Sequence, residues 1–220
     1  VRKIISESDL NGLGIGTLFE WNDGIVMGSF EGGVAWYDPE SGSSKVVVDS
    51  LLTDRITDFA TDKDNNLYIA TNGDGIWMLD SDTGERKRLT TENALVSEDV
   101  MSLRTDSQGK LWVAGLKGVQ RIDLEKQEIS LFTKEQGLSA NDIYDLALRD
   151  GKVYTGDSRG ISVLEQYDVE NDRWKVYSLG RDQGMIEIDI SQNSFSFDEE
   201  GHLWAGANAR ALIVADPVEV

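Results

Sequence analysis

The sequence predicts an all-β chain of repeated four-stranded sheets, and three observations carry that expectation. First, a short hydrophobic run ending in a small residue occurs five times. The copies are Gly24-Ile25-Val26-Met27-Gly28-Ser29, Asn66-Leu67-Tyr68-Ile69-Ala70-Thr71, Gly109-Lys110-Leu111-Trp112-Val113-Ala114-Gly115, Gly151-Lys152-Val153-Tyr154-Thr155-Gly156 and Gly201-His202-Leu203-Trp204-Ala205-Gly206. Counted from Val26, Tyr68, Trp112, Tyr154 and Trp204, the steps are 42, 44, 42 and 50 residues. Second, 22 glycines and only 2 prolines punctuate short runs rich in Val, Ile, Leu, Trp, Tyr and Thr, as expected for many short strands. Third, each repeat resolves into four such runs. A period in the forties with several strands per repeat is the signature of a β-propeller. We therefore expect a single propeller domain over residues 1–220, with blades at about 13–48, 56–90, 100–133, 143–177 and 193–216.

Within a repeat, the first run alternates, as in Ile56-Thr57-Asp58-Phe59-Ala60-Thr61, Val100-Met101-Ser102-Leu103-Arg104-Thr105 and Ile143-Tyr144-Asp145-Leu146-Ala147-Leu148. An Asp, Asn or Gly turn such as Asp62-Lys63-Asp64-Asn65 or Asp106-Ser107-Gln108-Gly109 then leads into the second run. Asn and Gly tolerate positive φ, so these turns suit tight hairpins. The third run is Gly33–Asp38, Gly75–Asp80, Gly118–Asp123, Gly160–Leu164 and Ala211–Asp216, and the fourth is Ser44–Val48, Glu85–Leu89, Glu128–Phe132 and Trp174–Tyr177. The last repeat has no fourth run, whereas Val1–Ile5 reads as an orphan one. Pairing the two would complete the fifth blade, close the ring and remove exposed sheet edges; the alternative is that the five blades are part of a larger propeller.

Composition narrows the function classes. A chain of 220 residues buries roughly 70% of its extended surface on folding and needs no staples. With no cysteine, disulfides, thiolate zinc sites and Cys nucleophiles are excluded. Forty acidic against 21 basic residues give a net charge of −19, which repels phosphate backbones and anionic membranes and so argues against nucleic-acid binding. No apolar run approaches the ~20 residues of a membrane-spanning helix. The chain opens on Val1 rather than Met, which suits a mature product whose signal peptide has been removed.

The stretches Gly137-Leu138-Ser139-Ala140-Asn141-Asp142-Ile143 and Ala94-Leu95-Val96-Ser97-Glu98-Asp99-Val100 resemble the inter-blade turn of two-component regulator propeller repeats. Asp106 to Gly115 matches the first half of the remaining repeat pattern, and Gly33 to Gly42 the second. The resemblance covers practically the whole chain and weakens where Met185–Asp189 replaces the usual turn. It implies a sensor-type propeller acting outside the cytoplasm. More distantly, the repeats are similar to those of streptogramin-lyase-like and gluconolactonase-like propellers, which are enzymes. The lyases rely on histidine, and the one histidine here, His202, stands where Lys110 and Lys152 stand in their repeats. That position reads as an exposed strand site, so no catalytic residue is assigned.

Residues that recur are explained by the scaffold. Trp112, Trp204, Tyr68 and Tyr154 share one strand position and are expected in the core, as are Trp36 and Trp77; Trp21 lies off the repeat. Asp62, Asp64 and Asn66 imitate the start of a calcium loop but lack its sixth-position Gly and twelfth-position Glu. Capping of hairpin turns accounts for them better, so no cofactor is expected, with calcium there as the alternative. The informative residues are those that vary between the second-to-third and inter-blade loops. They are Arg55, Asn72, Asp74, Lys117, Asn141, Asp142, Arg159, Asn208 and Arg210. A stretch over Ser178–Asn193 lengthens the last step and could add a strand or a loop over the channel mouth.

These readings lead to a non-enzymatic, sensor-like recognition propeller that binds a partner protein or a glycan through its loops. A propeller lyase or lactonase with a metal at the central channel, and a structural subunit of a larger extracellular assembly, are the alternatives. A converging Glu/Asp/Asn/His cluster would favour the enzyme, and a broad polar face the binding module.

Overall fold

The computed structural model describes residues 14–48, 54–179, 189–207 and 211–215. The Val1–Ile5 strand, Asn208, Arg210 and most of the 178–193 stretch lie outside the described residues, and with them the pairing of the two chain ends.

Nineteen described strands form five antiparallel sheets in chain order. The first holds β1 (Ile15–Trp21), β2 (Gly24–Ser29), β3 (Val34–Tyr37) and β4 (Ser44–Val48). The second holds β5 (Ile56–Thr61), β6 (Leu67–Thr71), β7 (Ile76–Leu79) and β8 (Arg86–Leu89). The third holds β9 (Val100–Thr105), β10 (Leu111–Gly115), β11 (Gly118–Asp123) and β12 (Glu128–Phe132). The fourth holds β13 (Ile143–Arg149), β14 (Lys152–Asp157), β15 (Gly160–Asp168) and β16 (Arg173–Leu179). The fifth shows three strands, β17 (Ser196–Phe197), β18 (Leu203–Ala207) and β19 (Ala211–Ala215). The only described helix is one 3₁₀ turn, Lys134–Gln136, capped at both ends by Thr133 and Gly137. Four of the sheets have the four antiparallel strands per repeat that the sequence predicts, and the fifth is described with three. The chain divides into two compact units, Val1–Lys110 and Leu111–Val220.

The recurring small residue has a packing cause. In the first unit, a Cβ on Gly28 would overlap the side chain of Ile56, at the start of the next blade. In the second unit, a Cβ on Gly156 would lie 2.5 Å from Ile190 Cγ2 and 2.8 Å from Phe195. In these two blades the next-to-last residue of the second strand is thus small enough to admit an aliphatic side chain that lies further along the chain. Ile56 is 1% exposed, so it has no open space to move into. Gly28→Ala is accordingly expected to cost about 1–3 kcal/mol by overpacking, read from a urea unfolding midpoint. An unchanged midpoint would show that this small residue is not required.

In the first unit Trp21, Val26, Val34, Ile56, Phe59, Leu67, Ile69 and Leu79 form the core. Trp21, the tryptophan off the repeat, is a strut in this core. Its ring is buried, its Nε1 donates to the Asn65 carbonyl at 2.9 Å, and its own carbonyl accepts from Trp36 Nε1 at 3.0 Å. In the second unit Trp112, Phe132, Ile143, Leu146 and Val153 belong to one cluster, and Tyr154, Ile161, Ile190 and Leu203 to another. Trp112, Tyr68 and Tyr154 are buried, whereas Trp204, Trp36 and Trp77, expected in the core as well, are only half-buried.

Two further devices recur. The first strands carry a bulge at Ile56/Asp58 and at Ile143/Asp145, and a bulge re-aims the side chain beside it. Asp58 and Asp145 are both buried. Asp58 Oδ2 accepts from the Ser102 hydroxyl (2.8 Å), the Leu103 amide (2.9 Å) and Arg104 Nη1 (2.7 Å). Asp145 Oδ2 accepts the amides of Ser194 (2.5 Å) and Phe195 (2.7 Å). Asp58 thus holds the first strand of the blade after it, and Asp145 holds the two residues that lead into β17.

The second device is the hairpin turn between first and second strands. Asp62, Asp106 and Asp198 each accept the amide of the residue four positions on, at 2.9 Å in all three. In two of them Oδ2 serves the large residue of the second strand: Asp62 accepts from Tyr68 Oη at 3.1 Å and Asp198 from Trp204 Nε1 at 2.8 Å. Burial and the Asp62 charge push the Tyr68 phenol well above its ordinary value.

Candidate functional site

In the second unit, the fourth blade brings polar groups together at one end. Register places Ile143 opposite Asp157, Asp157 opposite Gly160 and Ile161 opposite Leu179. The start of β13, the β14–β15 loop and the end of β16 therefore share one edge. The loop before β13 joins them, since the Gly118 amide of the third blade donates to the Asn141 carbonyl at 2.7 Å. Lys117, Asn141, Asp142 and Arg159 thus lie on neighbouring loops at this end. Lys117, Asn141 and Arg159 are exposed and Asp142 is half-buried.

Asp142 Oδ2 accepts from Tyr144 Oη at 2.9 Å and Ser158 Oγ at 3.1 Å. Beside it Asp157, fully buried, accepts the Arg159 amide at 2.6 Å and the hydroxyl of Ser139. A hydroxyl chain continues from Ser139 to Ser162 and Ser178, each step 3.0 Å, and ends on the Gly137 carbonyl. Burial pushes the Asp157 carboxyl up, opposed by the hydrogen bonds from Ser139 and Arg159; the nearby charge of Asp142 adds to the rise. Burial also raises the Tyr144 phenol, with its hydrogen bond to Asp142 and the charges of Asp142, Asp189 and Asp157. The result is two carboxylates, several hydroxyls and a phenol bordered by an amide and two cationic side chains.

Sequence reasoning singled out Asn141, Asp142, Lys117 and Arg159 but not Asp157, Tyr144, Ser139 or Ser158 as site residues. A signal for Asp157 was present. The residue three positions after the large one is Ser29, Thr71, Gly115 and Ala207 in the other repeats, so a carboxylate there is peculiar to the fourth blade.

In the first unit, the second blade places Arg55, Asn72 and Asp74 at the matching end. The Asn72 amide donates to the Arg55 carbonyl at 3.0 Å, and the Arg55 guanidinium lies 4.9 Å from the Phe30 ring centroid. Asp74 is engaged within the blade: it accepts Trp77 Nε1 at 2.8 Å and pairs with Arg88, which also reaches the Asp74 carbonyl at 3.0 Å and Glu98 at 4.0 Å. Arg88 and Glu98 were not expected there. This end is a set of matched charges, whereas the fourth blade satisfies its carboxylates with neutral hydroxyls.

Asp62, Asp64 and Asn66 occupy a hairpin turn. Asp62 Oδ1 accepts the amides of Asp64 (3.0 Å) and Asn66 (2.9 Å), and Oδ2 accepts Asn66 Nδ2 (2.9 Å) as well as Tyr68 Oη. Among the described residues, ligand atoms of three acidic or imidazole groups come within 4.8 Å of one another at Asp198, Glu200 and His202. His202 precedes β18 at the opposite end of its sheet from Ala207 and Ala211, which pair at the second-to-third loop.

A repeat unit of four antiparallel strands, with second-to-third and inter-blade loops sharing one edge, defines a repeat β-propeller. The comparisons agree. Residues 50–73 match the family described as two component regulator propeller. The structure is similar to the extracellular domain of a hybrid two component system from B. thetaiotaomicron, with a TM-score of 0.77 at 18% identity over 92% of this chain and 28% of that one. It is similar also to the extracellular domain of a one component system from B. thetaiotaomicron (TM-score 0.74, 21% identity, 98% of this chain and 32% of that one). Virginiamycin B lyase from Staphylococcus aureus matches with a TM-score of 0.66 at 13% identity, over 90% of this chain and 64% of the lyase. The chain thus spans about a third or less of those two extracellular domains. No curated protein matches the sequence significantly. Among the described residues, no helix is long and apolar enough to cross a membrane.

Proposed function

We propose that this chain is a non-enzymatic recognition propeller of an extracytoplasmic sensor, and that it binds a carbohydrate-like ligand at the loop end of its fourth blade. The observation that carries the reading is the cluster of Asp142, Asp157, Tyr144, Ser139 and Ser158, bordered by Lys117, Asn141 and Arg159. Carboxylates and hydroxyls pre-positioned by short hydrogen bonds suit a polyol, whose hydroxyls both donate and accept. A half-buried tyrosine supplies an apolar wall with a polar tip. The extracellular sensor domains that share the fold support the location and role. The sole histidine lies in a first-to-second-strand turn, away from the loop edge of its own blade, which does not favour a histidine-dependent lyase.

An oligosaccharide array probed with the whole chain tests this. Selective retention on one glycan class is expected, lost by about tenfold or more in affinity when Asp142→Ala and Arg159→Ala are combined, since each removed hydrogen bond to a charged group is worth about 1.5–3 kcal/mol. Retention on no glycan, or equal retention of the double variant, overturns the reading.

A further inference from the structure

We propose that Asp198, Glu200 and His202 form a surface site for one divalent transition ion of the zinc class, built on the hairpin turn between β17 and β18 of the fifth blade. His202 Nδ1 lies 3.0 Å from Asp198 Oδ2 and 3.5 Å from Glu200 Oε2. Ligands bound at about 2.0–2.2 Å stand roughly 2.9 Å apart in an octahedral shell and roughly 3.4 Å apart in a tetrahedral one. The 3.0 Å approach of His202 Nδ1 to Asp198 Oδ2 is a hydrogen bond, which an ion would displace, and the ligand atoms of all three residues lie within 4.8 Å of one another, close enough for side-chain adjustment alone to bring them onto one ion. One imidazole nitrogen and two carboxylate oxygens are a donor set for zinc and its neighbours rather than for calcium, which takes oxygen alone.

The turn is rigid for reasons that have nothing to do with an ion. Asp198 is fixed by the His202 amide, by Trp204 Nε1 at 2.8 Å and by the Gly201 amide on its carbonyl at 3.2 Å. An indole N–H on a ligating carboxylate is the kind of outer contact that orients a metal ligand. The same turn recurs at Asp62 and Asp106, where the fourth residue on is Asn66 or Lys110 and the second is Asp64 or Gln108. The scaffold therefore requires neither a carboxylate at 200 nor an imidazole at 202. The fifth blade alone combines them. Asp198 and His202 are each about one-third exposed and Glu200 is largely exposed, which leaves water free to complete the shell and the ion free to enter.

The chain has a single histidine, so its ring resonances report on this site without ambiguity. Titrating the intact chain with Zn²⁺ is expected to show one bound ion per chain by calorimetry and to shift the ring signals of His202. His202→Lys places at this position the residue that the equivalent turn carries at Lys110, so the fold is retained while the nitrogen ligand is lost; zinc binding should vanish. Glu200→Gln should weaken it about tenfold. Ring signals that do not move at millimolar Zn²⁺ overturn the proposal, even if a variant fails to fold. So does one-to-one binding that persists in His202→Lys. Neither outcome bears on glycan binding at the fourth blade, which uses no residue of this turn.

Discussion

Trp112→Ala is expected to lower stability by about 4 kcal/mol, near the upper end for a single core truncation. Trp112 is fully buried. Its ring stacks on Phe132 (centroids 5.8 Å apart, planes at 20°) and meets Trp174 edge-on at 5.1 Å. Phe132 and Trp174 also meet edge-on, at 5.7 Å. The Arg121 guanidinium, itself 8% exposed, lies 5.7 Å from the Trp112 centroid and 5.4 Å from that of Trp174, and its Nη1 is 2.9 Å from Asp172. Asp172 in turn accepts Trp174 Nε1 at 2.9 Å. Removing the central indole deletes the apolar burial, two aromatic pairs worth about 0.5–1.5 kcal/mol each and one of the two faces that shelter a buried cation. For a chain of this size the loss corresponds to roughly 8–16 °C in melting temperature. Trp112→Phe keeps a ring against Phe132 and should cost about half as much. A calorimetric loss below about 1 kcal/mol for the alanine variant would show that the cluster collapses around the hole, contrary to its fixed geometry.

That cluster also marks what was legible in the sequence. The period of the aromatic position announced the blades, and the four runs per repeat announced their strands, because strand alternation and turn residues are local properties. Trp112 could be assigned to the core since Tyr68, Tyr154 and Trp204 repeat it. Its partners could not be read: Arg121 and Asp172 lie 51 residues apart, and nothing local to either announces the pairing. Trp21 shows the same limit. It falls off the repeat, and only the fold shows that it packs among Val26, Phe59 and Leu67.

The candidate site was legible in part, by subtraction. Asn141, Asp142, Lys117 and Arg159 stood out as unrepeated loop residues, and the fold sets them on neighbouring loops. The hydroxyls that tie Asp142 and Asp157 together were hidden, since serine is common at surface turns and carries no spacing of its own. Arg55, Asn72 and Asp74 stood out equally well, yet Asp74 is already engaged with Arg88 and Trp77. Variation between repeats shows where the scaffold makes no demand; it does not show whether the groups there are matched to each other or available to a ligand.

Asp145→Ala is expected to cost about 3 kcal/mol, and to do so locally. The carboxylate is fully buried, with Oδ1 accepting its neighbour Leu146 N–H at 2.8 Å and Oδ2 accepting Ser194 and Phe195 N–H. A hydrogen bond to a charged group contributes about 1.5–3 kcal/mol, and a buried donor left without an acceptor costs about 1–3 kcal/mol. Alanine would strand donors on two blades at once, whereas the desolvation of the carboxylate that it relieves offsets part of the loss. Asp145→Asn is a sharper probe. One amide oxygen can serve one side of the clasp, but the NH₂ group then faces a backbone N–H on the other, so asparagine should recover about 1 kcal/mol rather than the full amount. Serine, which stands at the equivalent position 102, is the residue that another first strand tolerates there. Amide exchange distinguishes a clasp from mere filling of space: protection at Ser194 and Phe195 should fall in Asp145→Ala more than at Leu203, on the second strand of the same blade. Equal protection at all three, or a loss under about 1 kcal/mol, would mean that Gly156 and Ile190 packing alone joins these blades. The same pattern at Asp58, whose carboxylate holds Leu103 N–H and Arg104, would establish the buried aspartate as the device by which this repeat couples one blade to the next.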